Sequence, residues 1–539
     1  MLSINYDTVA SSTGGGMPEP QIVVVGAGVG GLVAAALLAA RGARVTVVEA
    51  QPGPGGKLRA LPVNGRAIDA GPTVFTMKPL MQQVFGEAGG DFDALVPSRP
   101  ADVLARHAWG ADRLDLHADP ARSEEAIGDF AGNAAAHGYR SFRKQAARVY
   151  DTLDASFLRA GNTNPLGLTW RVGLRRFPDM LALRPYESLW KVLGDYFADP
   201  RLCQLFARYA TYCGSSPFQA PSTLMLIAHV EALGVWLIDG GMHALAVALE
   251  ALARRSGVTF RYGATVEEIL VERGRATGVR LVDGEEIVAA AVVCNADPAA
   301  LAGGRFGKRA ARACRPMKRA QRSLSAMVWL AEAEADGFPL ARHTVLFSPD
   351  YPAEFAALRA GRLADDPSVY VCAQDRADDG AVPHGPERFQ IIVNAPPNGD
   401  TGGFTPAEIE TCGRRMAAAL VRAGLRLRLR PEATRLLTPR DFEALCPSTG
   451  GALYGRASHG WAASFLRQSA RTRIPGLYCA GGSTHPGAGV PMAALSGRLA
   501  AATLRKDLAS TRRSYPAATP GGMSTPSATP KDRMEAASA

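Results

Sequence analysis

Residues 21–50 read QIVVVGAGVGGLVAAALLAARGARVTVVEA, and the rest of the chain is best read outward from them. Residues 22–25 are a short β-branched run, the pattern of a strand buried on both faces of a parallel sheet. Gly26, Gly28 and Gly31 follow as GxGxxG. Residues 30–41 are Ala/Leu-rich and predict a helix, with Gly42 where a C-cap belongs. Residues 44–48 predict a second strand, and Glu49 ends it. Each part has a physical task. Gly26 allows a tight turn, Gly28 lets backbone approach a pyrophosphate, and Gly31 lets helix and strand pack closely. The helix N-terminus offers free N–H groups and partial positive charge to the phosphates. Glu49 is placed to accept hydrogen bonds from a ribose diol, and its charge disfavours a 2′-phosphate, which argues against NADP. A lone GxGxxG is a weak signal. Strand, helix, cap and terminal acid together point to a dinucleotide site.

The stretch after Glu49, QPGPGGKLRALPVNGRAIDAGPTVFTMK, does not run straight into another helix as a nicotinamide-binding unit would. It makes a Pro/Gly loop with Gly55, Gly56 and Lys57, then Asp69-Ala70-Gly71-Pro72-Thr73, an extended path suited to a long ligand. Further on, WLIDGGMHALAVALEALARRSG predicts a turn and an amphipathic helix. Residues 258–298 alternate with period two, broken by Gly-containing turns, and predict a β-meander ending in the strand VVCNA. Near the C-terminus, IPGLYCA at 474–480 predicts a strand. Gly481-Gly482, a loop with Gly487 and Gly489, and a helix from about 492 come after it.

GxGxxG, Glu49, GGK and DxGPT together resemble the flavin fingerprint of the amine oxidase and phytoene desaturase superfamily. The resemblance implies an α/β architecture: a Rossmann-like FAD-binding domain of the amine-oxidase type, plus an inserted α+β substrate-binding domain. It implies FAD-binding segments at 20–75, 230–300 and 441–508, and substrate-binding segments at 76–229 and 301–440. By resemblance, FAD is held by Gly26, Gly28, Gly31, Glu49, Gly56, Lys57, Gly71 and Pro72. The backbone of Val266 would hold the adenine. Gly481, Gly482, Gly489, Val490 and Met492 would face the redox end, where a helix N-terminus favours negative charge on the reduced ring.

Within the superfamily the chain is most similar to carotenoid desaturases, over nearly all of 20–505. Its wording is nearest to the 1-hydroxycarotenoid 3,4-desaturases (hydroxy- or methoxyneurosporene dehydrogenases) of photosynthetic bacteria. GPTVFTMK at 71–78, LDLHADPARSEEAIGDFAG at 114–132, LMLIAHVEALGVWLIDGGMHAL at 224–245 and residues 451–498 carry that resemblance. It implies desaturation at C3–C4 beside a tertiary C1 hydroxyl in an acyclic C40 carotenoid. It also implies an apolar substrate and peripheral attachment to the inner or photosynthetic membrane on the cytoplasmic side. The rivals are a phytoene-type desaturase, a flavin-dependent carotenoid isomerase, and a non-catalytic lipid carrier of the same fold. Such carriers lose flavin-contacting glycines, whereas these are intact. Nothing marks an aromatic amine cage.

No Ser/His/Asp or Cys/His constellation stands out and no metal site is expected. His459 is the one catalytic candidate, against the blander reading of a structural histidine. Scarce catalytic side chains suit an apolar substrate oxidised by hydride loss, where placement and water exclusion do most of the work. The proton acceptor is not named by the sequence, and neither is the electron acceptor: oxygen, a quinone or another carrier all fit. The first insertion reads mostly helical. Its aromatic stripe Trp190, Phe197, Phe206 and Tyr209 is core or ligand wall, with core the better reading.

The bulk numbers agree with a large globular enzyme. The chain has 539 residues, 47% of them hydrophobic, and a formal net charge of +10. The charges are scattered: a solvated basic surface, or attraction to an anionic membrane. No basic run interleaves with aromatics, so no nucleic acid is expected. The eight cysteines show no CxxC spacing and read as reduced, mostly buried thiols of a cytoplasmic protein. Residues 1–19 read as a flexible leader without a signal peptide, with Met17 an alternative start. Residues 509–539 read as a disordered tail. No apolar run reaches the roughly 20 residues a membrane span needs.

Overall fold

The structure is a computed structural model that describes residues 19–161, 167, 183–377 and 381–514. The leader through residue 18 and the tail beyond 514 lie outside the described residues, whereas residues 509–514, expected in the disordered tail, continue the helix Val490–Ser514. The strand expected at 22–25 is Gln21–Val25, and it sits at the centre of a five-stranded parallel sheet. The order across the sheet is Thr259–Arg261, Arg44–Val48, Gln21–Val25, Ala291–Cys294 and Leu477–Cys479. Three distant stretches of chain thus share one sheet.

Side-chain alternation separates the two faces of that sheet. Ile22 and Val24 pack with the helices Val29–Ala39, His243–Arg255 and the start of Val490–Ser514. Val23 and Val25 pack on the other face against Val266, Ile269 and Val279 of a three-stranded antiparallel meander. A central strand with both faces covered has no polar position, which is why the sequence shows an unbroken apolar run. Each Val or Ile buried there contributes about 1.5–3 kcal/mol. Helix Val29–Ala39 is buried along its whole length. Its Ala and Gly positions let neighbours come close: a Cβ on Gly497 of the C-terminal helix would lie 2.2 Å from the carbonyl oxygen of Gly30.

The structure differs from expectation at two places. Thr259–Arg261 is not part of the meander; it extends the parallel sheet beside Arg44–Val48. The meander is Val266–Glu272, Arg275–Leu281 and Glu286–Val288, and Ala291–Cys294 returns to the parallel sheet. The first insertion is helical over Pro120–Ala131, Asn133–Leu153 and Pro200–Ala207, but it also carries the hairpin Val103–Trp109/Asp112–His117. In Val103–Trp109 the buried positions fall at Leu104, Ala105, His107 and Ala108, closer to a helical than to a two-residue period. A register shift between Val103 and Ala105 breaks the alternation, which hides the strand.

That hairpin joins a seven-stranded sheet. From one edge it runs Thr434–Leu437, Ser325–Ala333, Glu387–Ala395, Val369–Ala373, His343–Leu346, Val103–Trp109 and Asp112–His117. Its pairs are antiparallel except His343–Leu346 with Val103–Trp109. Phe197, Phe206 and Tyr209 are buried in the large apolar cluster that the helices of the first insertion form, and Trp190 packs against its edge. The stripe is core.

Candidate active site

One cavity of about 930 Å³ runs from the Gly26 turn to the helices and large sheet of the inserted segments. That is at the upper end of the roughly 300–1,000 Å³ usual for ligand pockets. Gly26, Gly28, Glu49, Gly56, Lys57, Gly71 and Pro72 line it. So do Val266, Gly481, Gly482, Gly489, Val490 and Met492. Gly31 does not: a Cβ there would meet the carbonyl oxygen of Gly26 at 2.2 Å, so it serves packing behind the turn.

The turn is built by backbone. Gly26 adopts φ +99° and donates its N–H to the carbonyl of Val48 at 2.8 Å. Gly28 pairs with Gly55 as a parallel bridge, closing the Pro/Gly loop against the helix entrance. The helix that starts at Val29 has no side-chain cap and no acid in its first turn, so its positive end is left for a ligand anion. Glu49 is held by two backbone donors, Ala27 N–H at 2.6 Å and Gln51 N–H at 2.8 Å. Both oxygens keep further lone pairs for hydroxyl donors.

The two glycine-rich turns touch. A Cβ on Gly30 would stand 2.6 Å from the Gly481 nitrogen and 2.8 Å from Asn295 Oδ1. Asn295 itself was missed from sequence. It follows the strand Ala291–Cys294 at the carboxyl edge of the parallel sheet, where ligands of such sheets bind, and that rule would have found it. Its Oδ1 is buried without a partner, and so is Asp297 Oδ2 two residues on. Both residues line the cavity. Buried polar atoms of this kind are normally paired. Glycines that leave backbone bare, an uncapped helix start, an oriented carboxylate and orphaned polar atoms fit an extended dinucleotide.

The path from there is equally ordered. Lys57 Nζ donates to the carbonyl of Leu453 at 2.7 Å, tying the first loop to the C-terminal segment. Gln390 Nε2 donates to the carbonyl of Gly71 at 3.0 Å. Asp69 turns away from the cavity and accepts from the N–H groups of Met242 and His243, capping helix His243–Arg255. Arg467, also unforeseen, is buried and lines the cavity. It donates to the carbonyls of Tyr454 and Arg456, at 3.0 and 2.6 Å. Burial pulls its pKa down from the ordinary value, and a buried cation facing the cavity favours an electron-rich ligand edge.

His459 is not part of the lining. Its Nε2 accepts the Ser216 N–H at 3.0 Å, and burial lowers its pKa, so it works as a neutral staple between two loops. The far half of the cavity is apolar, with Phe157, Leu158, Ile227, Val230, Phe347 and Tyr351 among its walls. No group of three or more His, Cys, Asp or Glu able to hold a metal occurs among the described residues. All eight cysteines are free thiols.

The family model of flavin containing amine oxidoreductases matches residues 29–331, more than half of the chain. The chain belongs to this family. Over 520 residues it is 50% identical to the hydroxyneurosporene desaturase of Rubrivivax gelatinosus, covering 95% of this chain and 99% of that one. The hydroxyneurosporene desaturase of Cereibacter sphaeroides is 44% identical, with 92% and 99% covered. The 1-hydroxycarotenoid 3,4-desaturase of a Flavobacterium species is 30% identical, with 89% and 98% covered. Among solved structures, an oxidoreductase from Methanosarcina mazei aligns over 89% of this chain and 99% of its own, with TM-score 0.56 and 18% identity, which speaks for the fold. The protein is an FAD-dependent oxidoreductase, and FAD when bound supplies a two-electron acceptor for C–H oxidation.

Proposed function

We propose that this flavoprotein desaturates C3–C4 of an acyclic C40 carotenoid that carries a C1 hydroxyl or methoxyl group. The carrying observation is the continuity of one cavity from the glycine-built end to an apolar end. The 50% identity to a hydroxyneurosporene desaturase names the substrate class, and the 3,4-desaturase relative names the bond. Gly26, Gly28 and the start of helix Val29–Ala39 would take the pyrophosphate, Glu49 the ribose diol and the Val266 backbone the adenine. Gly481, Gly482, Gly489, Val490 and Met492 would border the redox end. The polyene would lie between the helices of 76–229 and the large sheet of 301–440, while 20–75, 230–300 and 441–508 hold FAD. Apolar walls exclude water and hold the chain in line, which is most of what hydride loss from an unactivated carbon asks of a protein.

Membrane docking belongs to the same proposal. Tyr186 and Trp461 both line the cavity, are 77% and 43% exposed, and pack at 5.5 Å between ring centroids. They mark an aromatic mouth of the type that sits at a lipid interface. No helix among the described residues is long and apolar enough to cross a membrane.

The test is to incubate FAD-loaded protein with hydroxyneurosporene and with phytoene and to follow the absorption spectra. A red shift with hydroxyneurosporene is expected. A red shift with phytoene alone makes it a phytoene-type desaturase. A spectral change without net oxidation makes it an isomerase. A protein that takes up no flavin on reconstitution revives the carrier reading. Co-sedimentation with anionic liposomes, lost in Trp461→Ala, checks the docking.

A further inference from the structure

The apolar half of the cavity carries a buried charged cluster. Arg208, Tyr212 and Glu231 all line the cavity, on the turn Arg208–Cys213 and the helix Leu226–Ala232. Arg208 is 6% exposed and Glu231 2%. Two fully desolvated charges are a costly thing to place in a pocket for a hydrocarbon.

The three groups are tied together but not saturated. Arg208 Nη1 donates to the Tyr212 hydroxyl at 2.7 Å. Tyr212 donates to Glu231 Oε1 at 2.9 Å, and the Tyr209 hydroxyl donates to Glu231 Oε2. Arg208 Nε and Nη2 have no hydrogen-bond partner. Nη2 lies 3.9 Å from Glu231 Oε1, too far for a direct hydrogen bond. A hydroxyl oxygen that enters between them, once the packing that closes Nη2 off gives way, would accept from the guanidinium and donate to the carboxylate.

The cluster also sits between the segments that border the cofactor. The turn holding Arg208 and Tyr212 runs on to Gly214, where a Cβ would lie 2.4 Å from the Tyr454 ring, and the Tyr454 carbonyl accepts from Arg467. Tyr370, whose hydroxyl feels both Tyr212 and Arg208, bonds Thr73 at 2.7 Å, two residues beyond Gly71.

We infer that Arg208, Tyr212 and Glu231 form a recognition site for one hydroxyl group on an otherwise apolar polyene. They thereby select hydroxylated substrate and set which carbon–carbon bond faces the redox end. This rests on the proposed function and goes beyond it by naming the residues that read the hydroxyl. A site built to bond a hydroxyl rejects the analogue lacking it, because its buried donors and acceptors are then left unpaired. A purely apolar pocket discriminates a missing polar group only weakly.

The experiment uses FAD-loaded wild type, Tyr212→Phe and Arg208→Met, each with hydroxyneurosporene and with neurosporene, the same polyene without the hydroxyl. Binding is read from the polyene absorption shift and turnover from product formation. Flavin absorbance reports whether each variant is folded. Wild type should prefer the hydroxylated polyene in both readouts. In each variant the preference, the ratio of the two kcat/KM values, should fall roughly 10–100-fold, the span of one lost hydrogen bond to a charged group. Tyr212→Phe removes a single oxygen, so it decides the matter if Arg208→Met fails to retain flavin. An unchanged ratio in Tyr212→Phe, or equal wild-type binding of both polyenes, overturns the inference. Preferential binding without desaturation of either polyene would refute the proposed function and leave the hydroxyl site standing.

Discussion

At the glycine-rich end the cavity wall is backbone; at the apolar end it is side chain. Gly26, Gly28, Gly30, Gly55 and Gly56 leave the first wall bare, and Asn295 packs beneath it. Phe157, Ile227, Phe347 and Tyr351 fill out the second. The difference teaches where a mutation will hurt. A polar, extended ligand needs N–H groups and close approach, so any added carbon there displaces something fixed. An apolar ligand needs shape and dryness, which many side chains provide redundantly.

The sharpest way to break this contrast is Gly30→Val. Its Cβ would meet the Gly481 backbone at 2.6 Å, so both glycine turns must move. Loss of flavin absorbance and a destabilisation of about 3 kcal/mol or more in a denaturant titration are expected. By contrast, Ile227→Leu on the apolar wall should retain flavin and cost under about 1.5 kcal/mol. Equal damage from the two would dissolve the distinction.

Acid provides a second measurement. His343 is buried at the start of the strand His343–Leu346 in the large sheet. Its Nδ1 is 2.7 Å from the Tyr370 hydroxyl, and burial together with Arg342 and Arg208 pulls its pKa from 6.5 to about 3. The unfolded imidazole protonates near 6.5, so the unfolded state binds the extra proton as pH falls. The contribution is whole above pH 6.5 and is lost towards pH 3, with a slope of up to about 1.4 kcal/mol per pH unit. Equilibrium unfolding from pH 7 to 4 should show this slope, and His343→Gln should flatten it.

Smaller effects separate framework from lining. Asp69→Ala removes the acceptor of two helix N–H groups and should cost about 2 kcal/mol in thermal unfolding while flavin stays bound. At Gly489 the nearest atom to an added Cβ is Pro491 Cδ at 3.9 Å, and φ is +101°. Gly489→Ala should therefore cost only about 1 kcal/mol, from backbone conformation. Gly489→Leu adds a branched side chain to the cavity and should alter the flavin spectrum or slow turnover. If flavin content and activity survive it, the second glycine turn merely closes the sheet.

The glycine-rich half of the fold was legible because its signals are local. Gly26, Gly28 and Gly31 lie within six residues, Glu49 follows at the next strand end, and every helix or strand among them has its own periodicity. Asn295 was less legible, since its meaning depends on knowing that Ala291–Cys294 lies beside Gln21–Val25. Arg467 and the Arg208–Tyr212–Glu231 cluster carried no local signal, since what sets them apart is which distant segments bury them. The hairpin at Val103–His117 was concealed by a bulge that broke its alternation.

The amino-acid order alone was enough to specify a βαβ dinucleotide unit, a long ligand path and a second glycine turn. Each needs particular residues at short spacing for steric reasons. Only the folded chain decided that Gly30 and Gly481 are in contact, that His459 is a staple, and that a buried cation and a buried carboxylate meet in an apolar cavity. Those facts depend on which distant surfaces pack together, and packing is set by the summed burial of whole elements rather than by any neighbouring residue.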